Sequence, residues 1–182
     1  MEKSAVIIGG GLGGLFTGAI LSKEGVKVTV IEKNPTVGGG LQSFRRFGET
    51  FDTGMHVIGG MQEGGNIRRI CEYLGIFDKV HVMDVDPDVI DTLYFAEDKK
   101  VYKIAQGKEG FVNALSESFP DQKDNLRAYV DAVYAIVDEL DMFYLRPSQD
   151  FIFVHSEDFM MPADGFIAKY ISDSKLCSVL AY

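Results

Sequence analysis

Positive charge is scarce in this sequence, and so are cysteine and histidine: 18 Lys and Arg stand against 27 Asp and Glu, with two cysteines and three histidines. The formal charge of −9 has the wrong sign for a surface that neutralises phosphate polymers, which excludes nucleic acid as a partner. Cys71 and Cys177 lie far apart, without a C-x-x-C and without a histidine at metal-ligand spacing. Neither a disulfide framework nor a zinc site follows, and both thiols are expected to be reduced and partly buried. Internal repeats, low-complexity tracts and a G-x-S-x-G are also missing. Ser4 to Ser22 is a stretch without charge that could pass for a membrane span. Gly9, Gly10, Gly11, Gly13, Gly14 and Gly18 crowd it, and each disfavours helix by about 1 kcal/mol relative to alanine. No small-residue cleavage site of signal type follows, so the expected location is the cytoplasm. The Asn-x-Thr at Asn34 has Pro35 in its middle and is no glycosylation acceptor.

What is present is apolar and patterned. Hydrophobic residues make up 46% of the chain, enough for one core and part of a second. Ala5, Val6, Ile7 and Ile8 form the continuous apolar run of a strand in a parallel sheet. Leu12, Leu15, Phe16, Ala19 and Ile20 then mark one face of a helix that ends near Gly25, where a left-handed cap suits glycine. Val26, Val28, Val30 and Ile31 supply a second strand closed by Glu32, which completes one βαβ unit. Residues 33–60 show no sustained period and read as a long connection of the kind that binds something. A helix through Ile67, Ile70, Tyr73 and Leu74 ends at Gly75, and strands are expected at Val80 to Met83 and Val89 to Ala96. Glu97, Asp98 and Lys99 make a turn, after which Val101 to Ile104 pairs back as a hairpin. Phe111 to Phe119 reads as a helix ended by Pro120. Leu126, Val130, Val133, Val137 and Leu140 mark a longer one running to about Leu145. Phe166 to Ile171 suggests a short helix, and Leu180 to Tyr182 an apolar tail with no closing element. The fold class expected is α/β, a Rossmann-like βαβ unit followed by the start of an α+β domain. The boundary is set between 1–76 and 77–182.

Gly9, Gly11 and Gly14 make G-x-G-x-x-G where the first strand turns into the first helix. The first glycine allows the tight turn, the second admits a pyrophosphate to the backbone, and the third lets helix and sheet pack closely. The helix N-terminus offers free N–H donors and a partial positive charge to the phosphates. Glu32, at the end of the second strand, can accept hydrogen bonds from ribose hydroxyls and repels a 2′-phosphate. Such a glycine motif alone is weak evidence, but strand, helix, second strand and terminal carboxylate here all stand where the mechanism needs them. Neither the motif nor Glu32 separates FAD from NAD.

The stretch VIIGGGLGGLFTGAILSKEGVKVTVIEKNPTVGGG, followed by FDTGMH, resembles the start of the FAD-dependent oxidoreductases related to phytoene desaturases, carotenoid isomerases, retinol saturases and amine oxidases. The resemblance implies FAD as cofactor. It assigns Gly9, Gly11, Leu12, Gly13 and Gly14 to the pyrophosphate and Glu32 and Lys33 to the adenosine ribose. Gly39, Gly40 and Leu41, with Gly54, Met55 and His56, are assigned to the ribityl chain and flavin. Many members have Arg after the glycine pair, where this chain has Gly40. Arg45 or Arg46 could take that role, or both could be solvated loop residues. The family completes its nucleotide sheet with segments near the C-terminus of a longer chain. Nothing after Tyr129 resembles them, which implies that these 182 residues are an N-terminal portion.

Other candidates fare less well. Asp84, Asp86 and Asp88 alternate like a calcium loop, but Val89 and Phe95 occupy the positions that need Gly and Glu. His81 and His155 have no ligand-spaced companion, and the catalytic residues are not legible. Tyr129, Tyr134, Phe143 and Tyr144 could line an apolar cavity or pack a core. The function expected is a flavin-dependent oxidoreductase acting on C=C bonds of a polyene or other small lipophilic substrate, with contact to a membrane surface as a means of collecting it. Amine oxidation, or a cofactor-binding fragment without activity of its own, are the alternatives.

Overall fold

The computed structural model describes residues 2–55, 57–141, 143–147 and 155–182, and the chain divides into two compact units, Met1–Val82 and Met83–Tyr182. In the first unit, β1 (Ser4–Ile8) and β2 (Lys27–Ile31) pair in parallel, from Ser4 opposite Lys27 to Ile8 opposite Ile31. The crossover between them is α1 (Leu12–Lys23), and Gly25 beyond it is left-handed at φ +81°, as glycine permits. Gly18 brings α1 close to the sheet. A β-carbon there would stand 3.2 Å from Ile7 Cδ1 and 3.5 Å from both Val28 Cγ1 and Val30 Cγ2. Ile7, Val28 and Val30 therefore face the helix, while Val6, Ile8 and Ile31 point to the opposite face and are exposed.

Residues 33–60, which lack a sequence period, contain regular structure nonetheless. A short 3-10 turn at Gly39–Leu41 leads into β3 (Ser43–Arg46), which pairs antiparallel with β4 (Glu49–Asp52). Phe47 (φ 55°) and Gly48 (φ 86°) form the two-residue connection with both φ positive, the geometry that matches the twist of a hairpin. Phe44 and Phe51 stack across it at 5.4 Å. Alternation is hidden because every residue of both strands is exposed. Helix α2 (Asn66–Leu74) follows and ends at left-handed Gly75. Val80 to Met83 form no strand. Val80 caps a 3-10 turn through its N–H to Phe77 O, and Val80, Val82 and Met83 are solvent-exposed with no strand beside them among the described residues.

The second unit opens with the antiparallel hairpin β5 (Asp91–Phe95) and β6 (Lys100–Ile104). Helices α3 (Gly107–Ser116), α4 (Lys123–Asp138), α5 (Glu157–Met160), α6 (Ala163–Tyr170) and α7 (Ser174–Leu180) follow. The hairpin and these helices make one core from Leu93, Tyr102, Val112, Leu115, Leu126, Val130, Ile167, Ile171, Leu176 and Val179. Two expectations need correction here. Helix α4 stops at Asp138, where Glu139 N and Leu140 N turn to the carbonyls three residues back, and Arg146 returns to donate to Asp138 O at 2.8 Å, with Leu145 left-handed at φ 52°. The stretch leading into the apolar tail, for which no element was expected, is helix α7, while Tyr182 at the end of the tail is exposed. Asp173 caps α7 by accepting from Leu176 N at 2.8 Å, and Leu176 and Val179 are buried. Both cysteines are free thiols, Cys71 buried and Cys177 half-buried.

Candidate functional site

The glycine loop is built by backbone contacts at the C-terminal ends of β1 and β2, the position where open α/β sheets bind ligands. Gly9 has φ +102°, a conformation that side chains disfavour. Gly14 is excluded from any larger residue, since a β-carbon there would lie 2.1 Å from Gly9 O and 3.3 Å from Ile7 Cγ2. At Gly13 a β-carbon would meet open space, so this face of the loop is clear for a ligand. No side chain caps the N-terminus of α1, which leaves its first amides as donors.

Glu32 clamps this loop. Its Oε2 accepts from Gly10 N at 2.7 Å and its Oε1 from Asn34 N at 2.8 Å. The hydrogen bond from Asn34 N, then that from Gly10 N, with Lys33 adding its own, hold the carboxyl below the usual carboxylate range. With three hydrogen bonds accepted, the carboxylate keeps a further lone pair to which a ribose hydroxyl can donate. Lys33 is exposed beside it.

The second glycine cluster comes against the first. Gly38 N donates to Gly10 O at 2.7 Å, and a β-carbon on Gly39 would stand 3.1 Å from Gly11 Cα. Gly40 and Leu41 complete the turn and are exposed, as are Gly54 and Met55, which follow β4. The structure thus brings Gly9 to Gly14, Glu32 and Gly39 to Leu41 onto one surface, with Gly54 against Gly40. His56 lies outside the described residues. Arg45 and Arg46 are exposed on β3, Arg46 lying 5.1 Å over the Phe47 ring. Sequence reasoning missed Gly10, whose β-carbon would stand 3.0 Å from Val37 Cγ1 and 3.2 Å from Glu32 Oε2, whereas Gly38, at φ +123°, is with Gly39 the glycine pair on which the resemblance rests. The tripled glycines at 9–11 and 38–40 were a signal that the motif alone does not use.

The second unit contains an apolar cavity of about 500 Å³. Leu93, Ile104, Phe111, Tyr129, Val130 and Tyr134 line it. Burial raises the Tyr129 hydroxyl pKa. Lys108, also in the lining, donates to Asp131 Oδ1 at 2.8 Å and lies 4.5 Å over the Tyr134 ring. Phe143 and Tyr144 stack edge-on with each other at 5.3 Å and are not part of the lining. Among the described residues no cluster of His, Cys, Asp and Glu could hold a metal, and no helix is long and apolar enough to cross a membrane.

Comparison with known proteins supports the Rossmann-like character of the first unit. A family model described as an NAD(P)-binding Rossmann-like domain matches residues 7–74. Prolycopene isomerase 2 of an Oncidium hybrid cultivar, a chloroplastic protein, is 28% identical over 98% of this chain and 32% of its own length. All-trans-retinol 13,14-reductase of Macaca fascicularis is 35% identical over 74% of this chain and 22% of its own length. The chain therefore spans about a third or less of the curated relatives it matches. A crystal structure of a Pyrococcus furiosus protein shares the fold, with a TM-score of 0.54 and 20% identity over 95% of this chain and 34% of that one.

Proposed function

We propose that this chain, which belongs to the superfamily of the phytoene desaturases, carotenoid isomerases and retinol saturases, holds FAD for an oxidoreductase acting on C=C bonds of a polyene or other lipophilic molecule. The observation that carries the reading is the joining of two glycine clusters and one carboxylate. Glu32 binds Gly10, Gly10 binds Gly38, and the backbones approach so closely that side chains at Gly14 or Gly39 would fill the space. Such a surface fits a dinucleotide. The Gly9–Gly14 loop and the first amides of α1 would take the pyrophosphate, Glu32 the adenosine ribose, and Gly39 to Leu41 with Gly54 and Met55 the part toward the flavin. Bound flavin supplies hydride or electron transfer, while the protein supplies position and electrostatics.

The relatives named for prolycopene and retinol support a polyene over an amine as substrate. The apolar cavity of the second unit, of a size that suits a small-molecule ligand, supports a lipophilic one. The test is calorimetric titration of the chain with FAD and with NADH, followed by product analysis of the FAD-loaded protein with a polyene and with a primary amine. Tight FAD binding and a changed C=C bond are expected. Binding of NADH alone would reassign the loop to nicotinamide, and turnover of the amine alone would reassign the substrate.

A further inference from the structure

Thr53 is the middle residue of the turn at residues 52–54, and hairpin register delivers it to the candidate site. The ladder from Arg46 opposite Glu49 to Ser43 opposite Asp52 continues one step, placing Thr53 opposite Gln42. Thr53 N donates to Gln42 O at 2.9 Å. Its hydroxyl Oγ1 lies 2.8 Å from the same carbonyl and 3.2 Å from Gly40 O, so its single proton is shared between the two ends of the Gly40–Gln42 segment. Gly54 then passes so close that a β-carbon there would be 2.8 Å from Gly40 O. On the other side, Gly38 and Gly39 are held against Gly10 and Gly11. The turn at Gly39–Leu41 is therefore held between the glycine loop and the Thr53–Gly54 step. No residue of this turn is buried, so hydrogen bonds rather than core packing set its position.

We infer that Thr53 is a positioning residue of the dinucleotide site: its hydroxyl fixes the Gly39–Leu41 turn at the flavin-side part of the cofactor without touching the cofactor itself. This rests on the reading of the site as one for FAD. Thr53→Val keeps the shape and the backbone bond to Gln42 but removes the shared proton. Thr53→Ser restores it.

The experiment measures amide hydrogen exchange at Leu41 and Gln42 without ligand, and the affinities for FAD and for ADP, in the wild-type chain and both variants. Leu41 N donates to Gly38 O at 3.0 Å and Gln42 N to Gly39 O at 3.3 Å, so both amides report on the turn. Thr53→Val is expected to speed their exchange and to weaken FAD about threefold to tenfold, the scale of one neutral hydrogen bond. ADP affinity should hold within about twofold, because the adenosine end is served by Glu32 and the glycine loop. Thr53→Ser should behave as wild type. Equal exchange in Thr53→Val would overturn the clamp, as would equal FAD affinity, or an ADP affinity that falls in step with that for FAD. Failure of the wild-type chain to bind FAD would overturn the site reading and with it the positioning role. The exchange data, which need no ligand, would still show separately whether the hydroxyl holds the turn.

Discussion

Glu32 shows how one side chain carries two tasks. Sequence spacing marks it as the partner of a ribose, but its first task in the structure is internal, to accept from Gly10 and Asn34 and so hold the loop. Because these bonds lower its pKa relative to the unfolded chain, their contribution is fully present above the ordinary carboxylate pKa of about 4.3. It is lost as pH falls through the depressed native value. FAD affinity of the wild-type chain should therefore decline on acidification from neutral pH into that window. Glu32→Gln should bind weakly already at neutral pH and show little further decline, and a titration series across pH would check this. A variant with the wild-type pH profile would remove Glu32 from the site.

At the scale of elements, helix α4 carries the second unit. Its buried stripe, Leu126 and Val130, meets α3 and α6, and Leu126 has no exposed surface. Leu126→Ala should cost about 2–5 kcal/mol through lost burial and the cavity left behind. Urea unfolding followed by far-UV circular dichroism would measure it, and a cost under about 1 kcal/mol would show that the core collapses around the gap. The periodicity that reveals α4 overstates its length, because Leu140 continues the stripe in sequence. The Asp138 carbonyl accepts from Arg146, returning from eight residues away, a contact invisible to a local pattern. Val80 to Met83 fail as a strand for a similar reason, since apolar character without a neighbouring strand leaves the backbone unpaired.

At the scale of the whole molecule, the open face of the β1–β2 sheet stands out. Parallel sheets are ordinarily covered on both faces. Here Ile8 is 88% exposed and Val6 64%, and no layer covers them among the described residues. Since Ile8 loses little contact on substitution, Ile8→Thr should change the stability of this chain by less than about 0.5 kcal/mol. A cost above about 1.5 kcal/mol that grows with protein concentration would show instead that a second copy covers this face in solution. Denaturant midpoints at two concentrations, with sedimentation velocity, distinguish the outcomes.

The sequence by itself determined β1, α1 and β2, because an apolar run, a helical stripe and a left-handed glycine are all local signals. It also marked Gly9, Gly11, Gly14 and Glu32, whose spacing along the chain reflects one βαβ unit. Helix α2 with Gly75, and the β5–β6 hairpin, were legible for the same reason. The tertiary structure alone decided how the second glycine cluster meets the first, since Gly38 reaches Gly10 only after the chain has folded back. It also decided the place of Thr53, whose partner Gln42 is set by the register of an exposed hairpin with no hydrophobic alternation to announce it. Local propensity is written residue by residue, whereas these contacts depend on strand register and chain return, which exist only once the backbone has closed on itself.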